Sequence, residues 1–274
     1  MSYDPLWRLI RTPAAHGAWN MAVDEAILEH IHRGESRPTL RLYAWQPACL
    51  SLGHAQPISD MDLERLHARG WEVVRRVTGG RAILHTDELT YSVTAPADEP
   101  RVAGSVLESY NRLAQALLAA VRELGLPVEM KESALPSAGG NLNPVCFEVP
   151  STYEITVHGK KLIGSAQARK KEGVLQHGSL PLVGDLTRIC QALVFTDETA
   201  RAQAAARLLA RATTVESVLG RAVGWETAAQ AFVHGFESEL NLKFEEGELS
   251  TSEATRAEEL VHTKYAHPSW TERV

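Results

Sequence analysis

From Leu40 to Leu182 the chain is cut into short apolar runs by glycine and proline turns, and one long amphipathic segment interrupts them. Short runs bounded by turn residues read as strands, and a lone helix among them must pack on the sheet they form. Leu40–Trp45 and Ala48–Leu52 are expected strands around Gln46-Pro47. Trp71–Val77 leads into a Thr78-Gly79-Gly80 turn, and Ala82–His85 and Leu89–Thr94 follow it. Residues 131–145, rich in Gly, Asn and Pro, read as a loop. A three-stranded meander then runs through Thr152–Val157, Lys161–Gln167 and Val174–Leu182, turning at His158-Gly159 and at Lys170–Gly173.

The interrupting helix spans Ser105–Leu124. Ser105 with Glu108 three residues later fits a capping box, and Leu107, Tyr110, Ala114, Leu117, Leu118 and Val121 line one face before Gly125. Trp19–Arg33 is a second helix, with Trp19, Ala22, Val23, Ala26, Ile27 and Ile31 on one stripe, and Asp60–Arg69 a short third. After Gly184 the chain turns rich in Ala, Glu and Arg, and helices are expected over about 185–194, 197–211, 214–219, 225–240 and 251–266. The fold class is therefore α/β, with a sheet-rich core over about 30–183 and a helical C-terminal part packed on it.

Composition narrows the function. The 274 residues carry 28 Lys and Arg against 34 Asp and Glu, a net charge of −6 that disfavours general nucleic-acid binding. The longest apolar run, Ala114–Val121, is too short to span a bilayer, and Met1–Arg11 has no signal-peptide core. Cys49, Cys146 and Cys190 are three in number and widely spaced, which fits no disulfide framework or metal motif and points to a reducing cytoplasm. His30 and His32 do not share a helical face and read as surface residues. P-loop, dinucleotide-binding, nucleophile-elbow and zinc-protease motifs are absent.

Three segments carry chemistry, each with two readings. Arg75-Arg76-Val77-Thr78-Gly79-Gly80-Arg81 is either a hairpin with ordinary surface arginines or a turn whose backbone approaches an acyl or phosphate group. Cys146 is either a packing residue or a group presented where a Gly/Asn/Pro loop meets a strand, whereas Cys49 and Cys190 fit burial. Gly159-Lys160-Lys161-Leu162-Ile163-Gly164-Ser165-Ala166-Gln167 is either an exposed hairpin with edge lysines or a strand whose small residues admit a ligand.

Together with Gln176-His177-Gly178-Ser179, these segments resemble the biotin/lipoate protein ligase superfamily, and within it the cysteine-dependent octanoyltransferases of the LipM type. The resemblance runs from Trp7 to about Trp270. It implies a mixed β-sheet flanked by helices, like the catalytic domains of class II tRNA synthetases and biotin ligases. A catalytic domain over 30–245 and a helical tail over 246–274 are expected. The implied reaction moves octanoyl from acyl carrier protein to a lysine of a lipoyl domain, such as that of glycine cleavage H protein. By the resemblance Cys146 is the acyl-thioester nucleophile and Lys161 the lysine that lowers its pKa. Arg76, Gly79, Gly80, Arg81, His85, Gly164, Ser165, Ala166 and His177 are the substrate-binding residues. ATP-using ligases of the superfamily usually carry a third glycine where this chain has Arg81.

A thioester donor is already activated, so no cofactor is required; ATP and Mg enter only if the chain is a lipoate–protein ligase. Two more activities are compatible with the same motifs: octanoyl amidotransfer between lipoyl domains, and non-catalytic acyl sensing. A cytoplasmic monomer that binds neither nucleic acid nor membrane is expected. Arg75, Arg76 and Arg81 form one basic cluster for acidic partners, and Lys160, Lys161, Arg169, Lys170 and Lys171 a second.

Overall fold

The computed structural model describes residues 4–132 and 153–274. Its centre is an eight-stranded mixed sheet. β1 (Leu6–Arg11) runs parallel to both β2 (Thr39–Tyr43) and β11 (Lys243–Gly247). From β2 the sheet continues antiparallel through β6 (Glu88–Ala95), β10 (Gly173–Pro181), β9 (Lys160–Lys170), β8 (Tyr153–Val157) and β7 (Val128–Glu132). A smaller sheet joins β3 (Cys49–Leu52) to β4 (Glu72–Arg75) and β5 (Ile83–His85). The expected α/β architecture, a mixed sheet flanked by helices, is the one found.

Alternation along β6 decides what lies on each face. Leu89, Tyr91, Val93 and Ala95 are buried with α3 (Val106–Glu123) and α6 (Trp225–Leu240) in one apolar core. The alternate residues Glu88, Thr90, Ser92 and Thr94 are buried too, although they are polar. On their side lie α1 (Gly17–His32) and α7 (Thr251–Leu260), which share a second core with Ile10, Tyr43 and Trp45. A third core gathers α2 (Leu63–Ala68), α4 (Glu198–Arg211) and the small sheet. α5 (Val215–Leu219) and α8 (Pro268–Thr271) complete the α-helices among the described residues. Among the described residues no helix is long and apolar enough to cross a membrane.

Local signals explain several boundaries. α3 begins on the expected capping box, with Ser105 Oγ accepting from Glu108 N at 3.2 Å and Ser105 N donating to Glu108 at 2.7 Å. α1 has no side-chain cap of its own; Gly17 N donates instead to Glu72 of β4 at 2.9 Å. His30 is buried rather than at the surface, its Nδ1 2.7 Å from the Ala26 carbonyl. β7 occupies residues at the edge of the expected 131–145 loop, paired along β8. The C-terminal strap carrying α8 is gripped by Arg75, whose guanidinium donates to the carbonyls of Trp270, Thr271, Gly53, His54 and Gln56.

Gly235 sets how closely α6 approaches α3. A Cβ there would lie 2.5 Å from the Ala116 carbonyl oxygen and 2.7 Å from Ala120 N. Glycine to alanine inside a helix ordinarily stabilises by about 1 kcal/mol. Here the clash is with backbone, so Gly235→Ala is expected to lower unfolding free energy by about 1–3 kcal/mol in a urea titration.

Candidate active site

The glycine turn is held by a buried arginine. Arg76 Nη1 donates to the Ser51 carbonyl at 2.8 Å and to Ser51 Oγ at 3.1 Å, and Nη2 donates to the carbonyls of Gly79 at 2.9 Å and Arg81 at 2.8 Å. Gly80 has φ +95°, and a Cβ there would meet Arg76 Nη2 at 2.9 Å, so both backbone angle and space require glycine. Arg75 and Arg76 are therefore buried and occupied with carbonyls, not members of a surface cluster for acidic partners. Only Arg81 of that trio is partly exposed. The second basic cluster divides as well: Lys161 is buried and Lys160 reaches the Leu209 carbonyl at one end of β9, with Arg169, Lys170 and Lys171 at the other.

Between this turn, β9, β10 and the small sheet lies a narrow, partly open cavity. It is lined by Arg76, Gly80, His85, Gly164, Ser165, Ala166 and His177, so seven of the expected substrate-binding residues converge. Gly79 and Arg81 line the adjoining groove instead. Lys161 lies three residues before Gly164 on β9, and its carbonyl accepts from Thr213 N at 3.0 Å. Cys146 lies outside the described residues. Cys49 is buried, its thiol pushed well up by that burial and by the carboxylates of Glu72 and Glu88, and Cys190 is buried likewise.

The polar atoms around the cavity bond to one another. His85 Nδ1 is 2.6 Å from Glu88 Oε1, and its Nε2 is 2.7 Å from Ser51 Oγ. Glu88 also accepts from Ser179 Oγ at 2.7 Å and Thr90 Oγ1 at 2.5 Å. Burial alone would raise the Glu88 pKa, but His85 and these hydroxyls outweigh it and hold the carboxyl below its ordinary 4.5. Trp45 donates to Thr90 Oγ1 at 2.8 Å and stacks on His85, ring centroids 3.9 Å apart. Once paired, these groups present ring faces and methylenes inward, alongside Met21, Tyr43 and Ile83. Such a slot suits an aliphatic chain. Burying about six methylenes contributes about 5 kcal/mol.

His177 is the second imidazole of the cavity. Its Nε2 is 2.6 Å from Thr78 Oγ1, and its Nδ1 is 3.7 Å from Asp24 Oδ2. Burial lowers its pKa from the ordinary 6.5, helped by the positive charge of Arg76 and by His85, against the pull of Asp24. Trp45, Glu88, Ser51 and Asp24 were not identified from sequence. The polar alternation Glu88, Thr90, Ser92, Thr94 within an otherwise core-like strand was the available signal. Among the described residues no cluster of metal-ligating side chains occurs.

Two outcomes follow from this geometry. Ile83→Trp is expected to fill the slot and weaken binding of an octanoyl thioester analogue by about tenfold or more, with little change in Tm; calorimetry reads both. Because the fold depresses the His177 pKa, the folded imidazole stays neutral as pH falls through 6.5 while that of the unfolded chain protonates, so stability is lost as pH drops below about 6.5 and the loss levels off once folded His177 also protonates. Nitrogen NMR shifts at pH 6.5 should show His177 mostly neutral where an ordinary histidine is half protonated.

The family model for the lipoyl protein ligase A/B catalytic domain matches residues 16–237. Octanoyltransferase LipM of Moorella thermoacetica is 42% identical over 97% of this chain and 98% of its own. The Exiguobacterium sibiricum and Brevibacillus brevis proteins of the same name are 40% and 41% identical, each over 96% of this chain and over 97% and 98% of their own. Among solved structures, a chain of the bipartite lipoate protein ligase and E2 lipoyl domain system of Thermoplasma acidophilum superposes with TM-score 0.78 at 24% identity, covering 97% of this chain and 95% of that one. Lipoate-protein ligase A bound with ATP gives TM-score 0.78 at 24% identity, covering 98% and 99%. These two likenesses establish the fold alone. The family match and the near-full-length relatives place the sequence: the chain belongs to the lipoyl protein ligase A/B catalytic-domain family, alongside the LipM octanoyltransferases.

Proposed function

We propose that this acyltransferase carries octanoyl from acyl carrier protein to a lysine of a lipoyl-domain protein, through a thioester on Cys146. The observation that carries the reading is the slot beside the Gly79-Gly80 turn, whose polar lining is paired internally and whose open surface is apolar. It sits in a chain similar over nearly its whole length to octanoyltransferases. Two of the three cysteines are sealed in packed cores, which supports Cys146 as the nucleophile.

In this reading the Cys146 thiolate attacks the thioester carbonyl. The bond from carbonyl carbon to the donor sulfur breaks, and the departing donor thiolate takes up a proton. The acceptor amine then attacks the acyl-cysteine, losing a proton as the amide forms and the Cys146 thiolate is released. The first step exchanges one thioester for another, and the second runs downhill to an amide, so no nucleotide is needed. Free cysteine has a pKa of about 8.5, and a nearby cation raises its thiolate fraction; Lys161 is assigned that role. The octanoyl carbonyl becomes an oxyanion in both steps, and backbone N–H groups of the glycine turn are suitable donors. The reading places the protein in the cytoplasm as a monomer, with glycine cleavage H protein as its acceptor.

Octanoyl-loaded carrier protein alone, without nucleotide, should add one octanoyl mass to Cys146, removable by hydroxylamine; intact mass spectrometry of the wild type and of Cys146→Ala checks it. A Cys146→Ala protein that still loads a lipoyl domain from ATP and free lipoate would make the chain a ligase. Lys161→Ala should slow alkylation of Cys146 at neutral pH, and equal rates would remove that lysine from the mechanism.

A further inference from the structure

Beside the acyl cavity, and sharing Gly80 with it, lies an open groove of about 1020 Å³. One wall is the turn from Gly79 to Arg81, and the other is the end of β9 from Gln167 to Lys170, with His54 and Gln56 between them. Arg81, Arg169 and Lys170 line it, and among the described residues no carboxylate does. Arg273 adds a cation at its edge, 2.8 Å from His54 Nε2. A chain of net charge −6 thus gathers positive charge in this groove.

The charges are weakly compensated. Arg81 has no carboxylate partner among the described residues, while its carbonyl is held by Arg76. Arg169 donates to the carbonyls of Val102 and Ser105 and the side chain of Gln167, with the Glu108 carboxylate and the Arg112 guanidinium acting on it from beyond hydrogen-bond reach. Lys170 shares Glu25, at 3.6 Å, with Lys264, at 2.6 Å, so one carboxylate serves two ammonium groups. His54 registers the field: burial first, then Arg273 and Lys170, lower its pKa.

Position says what kind of anion fits. Arg169 and Lys170 lie three and four residues beyond Ala166, a residue of the acyl cavity, on one strand. At about 3.3 Å per residue they stand about 10–13 Å from it. An anion there stands about 10–13 Å from the cavity, a span that a phosphorylated pantetheine arm, longer than this when fully extended, covers in a bent form. Gly79 and Gly80, at the junction, are exposed, and among the described residues nothing lies within 4 Å of a Cβ built on Gly79, which leaves room beside the peptide for a passing chain.

We propose that this groove binds the phosphate of a phosphorylated pantetheine arm while its octanoyl thioester enters the cavity at Gly80. The proposal rests on the acyl-transfer reading and adds the donor's recognition element. The same field repels an ammonium group, so the groove favours the donor over the acceptor lysine.

The experiment compares octanoyl-pantetheine, octanoyl-4′-phosphopantetheine, octanoyl-coenzyme A and octanoyl-carrier protein as donors, reading acylation of the whole protein by mass. The two small phosphorylated donors should show KM about tenfold below the phosphate-free one. Arg81→Ala should shrink that ratio severalfold and Arg81→Glu should abolish it, each with a fold checked by its unfolding curve. A ratio near one, a ratio unmoved by Arg81→Glu, or an advantage confined to the carrier protein would overturn the proposal. So would AMP competing as strongly as free 4′-phosphopantetheine, which would assign the groove to a nucleotide. In each case octanoyl-pantetheine still acylates the protein, so acyl transfer itself stands apart from this outcome.

Discussion

A single buried carboxylate organises the site side of the sheet. Asp24 of α1 accepts from Arg41 at 2.8 Å, Ser92 at 2.8 Å and Tyr43 at 3.0 Å, three side chains from β2 and β6. Both members of the Asp24–Arg41 pair are fully excluded from solvent. Burial works against the charge of Asp24, but Arg41 and His177 outweigh it and keep the carboxyl ionised below its ordinary pKa. Arg41 is completed by Asn20 and Thr12. Such a pair offers little net stability against an apolar replacement, but removing one partner strands the other at a cost of about 3–5 kcal/mol. It therefore fixes where α1 sits, and with it Met21 and the orientation of His177.

The same logic extends along the sheet. One face is a conventional apolar core beneath α3 and α6. The other is polar yet buried, and its groups satisfy each other through short bonds from Glu88 to His85, Ser179 and Thr90. Closing every polar partner inside the wall is what lets a polar strand face line an apolar slot. Unpaired, any of these groups would draw water into the space an acyl chain needs.

Much of this was legible in the sequence because it is written locally. The capping box at Ser105, the turns at Gly159 and Gly173 and the Gly79-Gly80 pair each depend on neighbours a few residues away, and the meander and α3 form where those signals lie. β1 and β11 were missed for a physical reason. β11 has Phe244 as its main apolar residue and is a strand because the free edge of β1 accepts it. Arg75 and Arg76 look like surface residues in a list, and their carbonyl partners come from distant turns and the C-terminal strap. Burial of that kind has no signature at short range. Family motifs found Gly164, Ala166 and His177 in the cavity, while Trp45 in its wall, and Glu88 behind it on His85 and Ser179, emerged only when the strands were brought together.

Arg75 and Arg76 are neighbours in the chain with opposite assignments: one guanidinium grips the strap at Trp270 and Thr271, the next grips the glycine turn. Trp270 closes the loop by donating to the Arg75 carbonyl at 2.8 Å. The two ends of this coupling are joined by one peptide unit, so it behaves as a short stiff lever. Anything that displaces the strap therefore acts on backbone immediately beside the arginine that holds the rim of the slot.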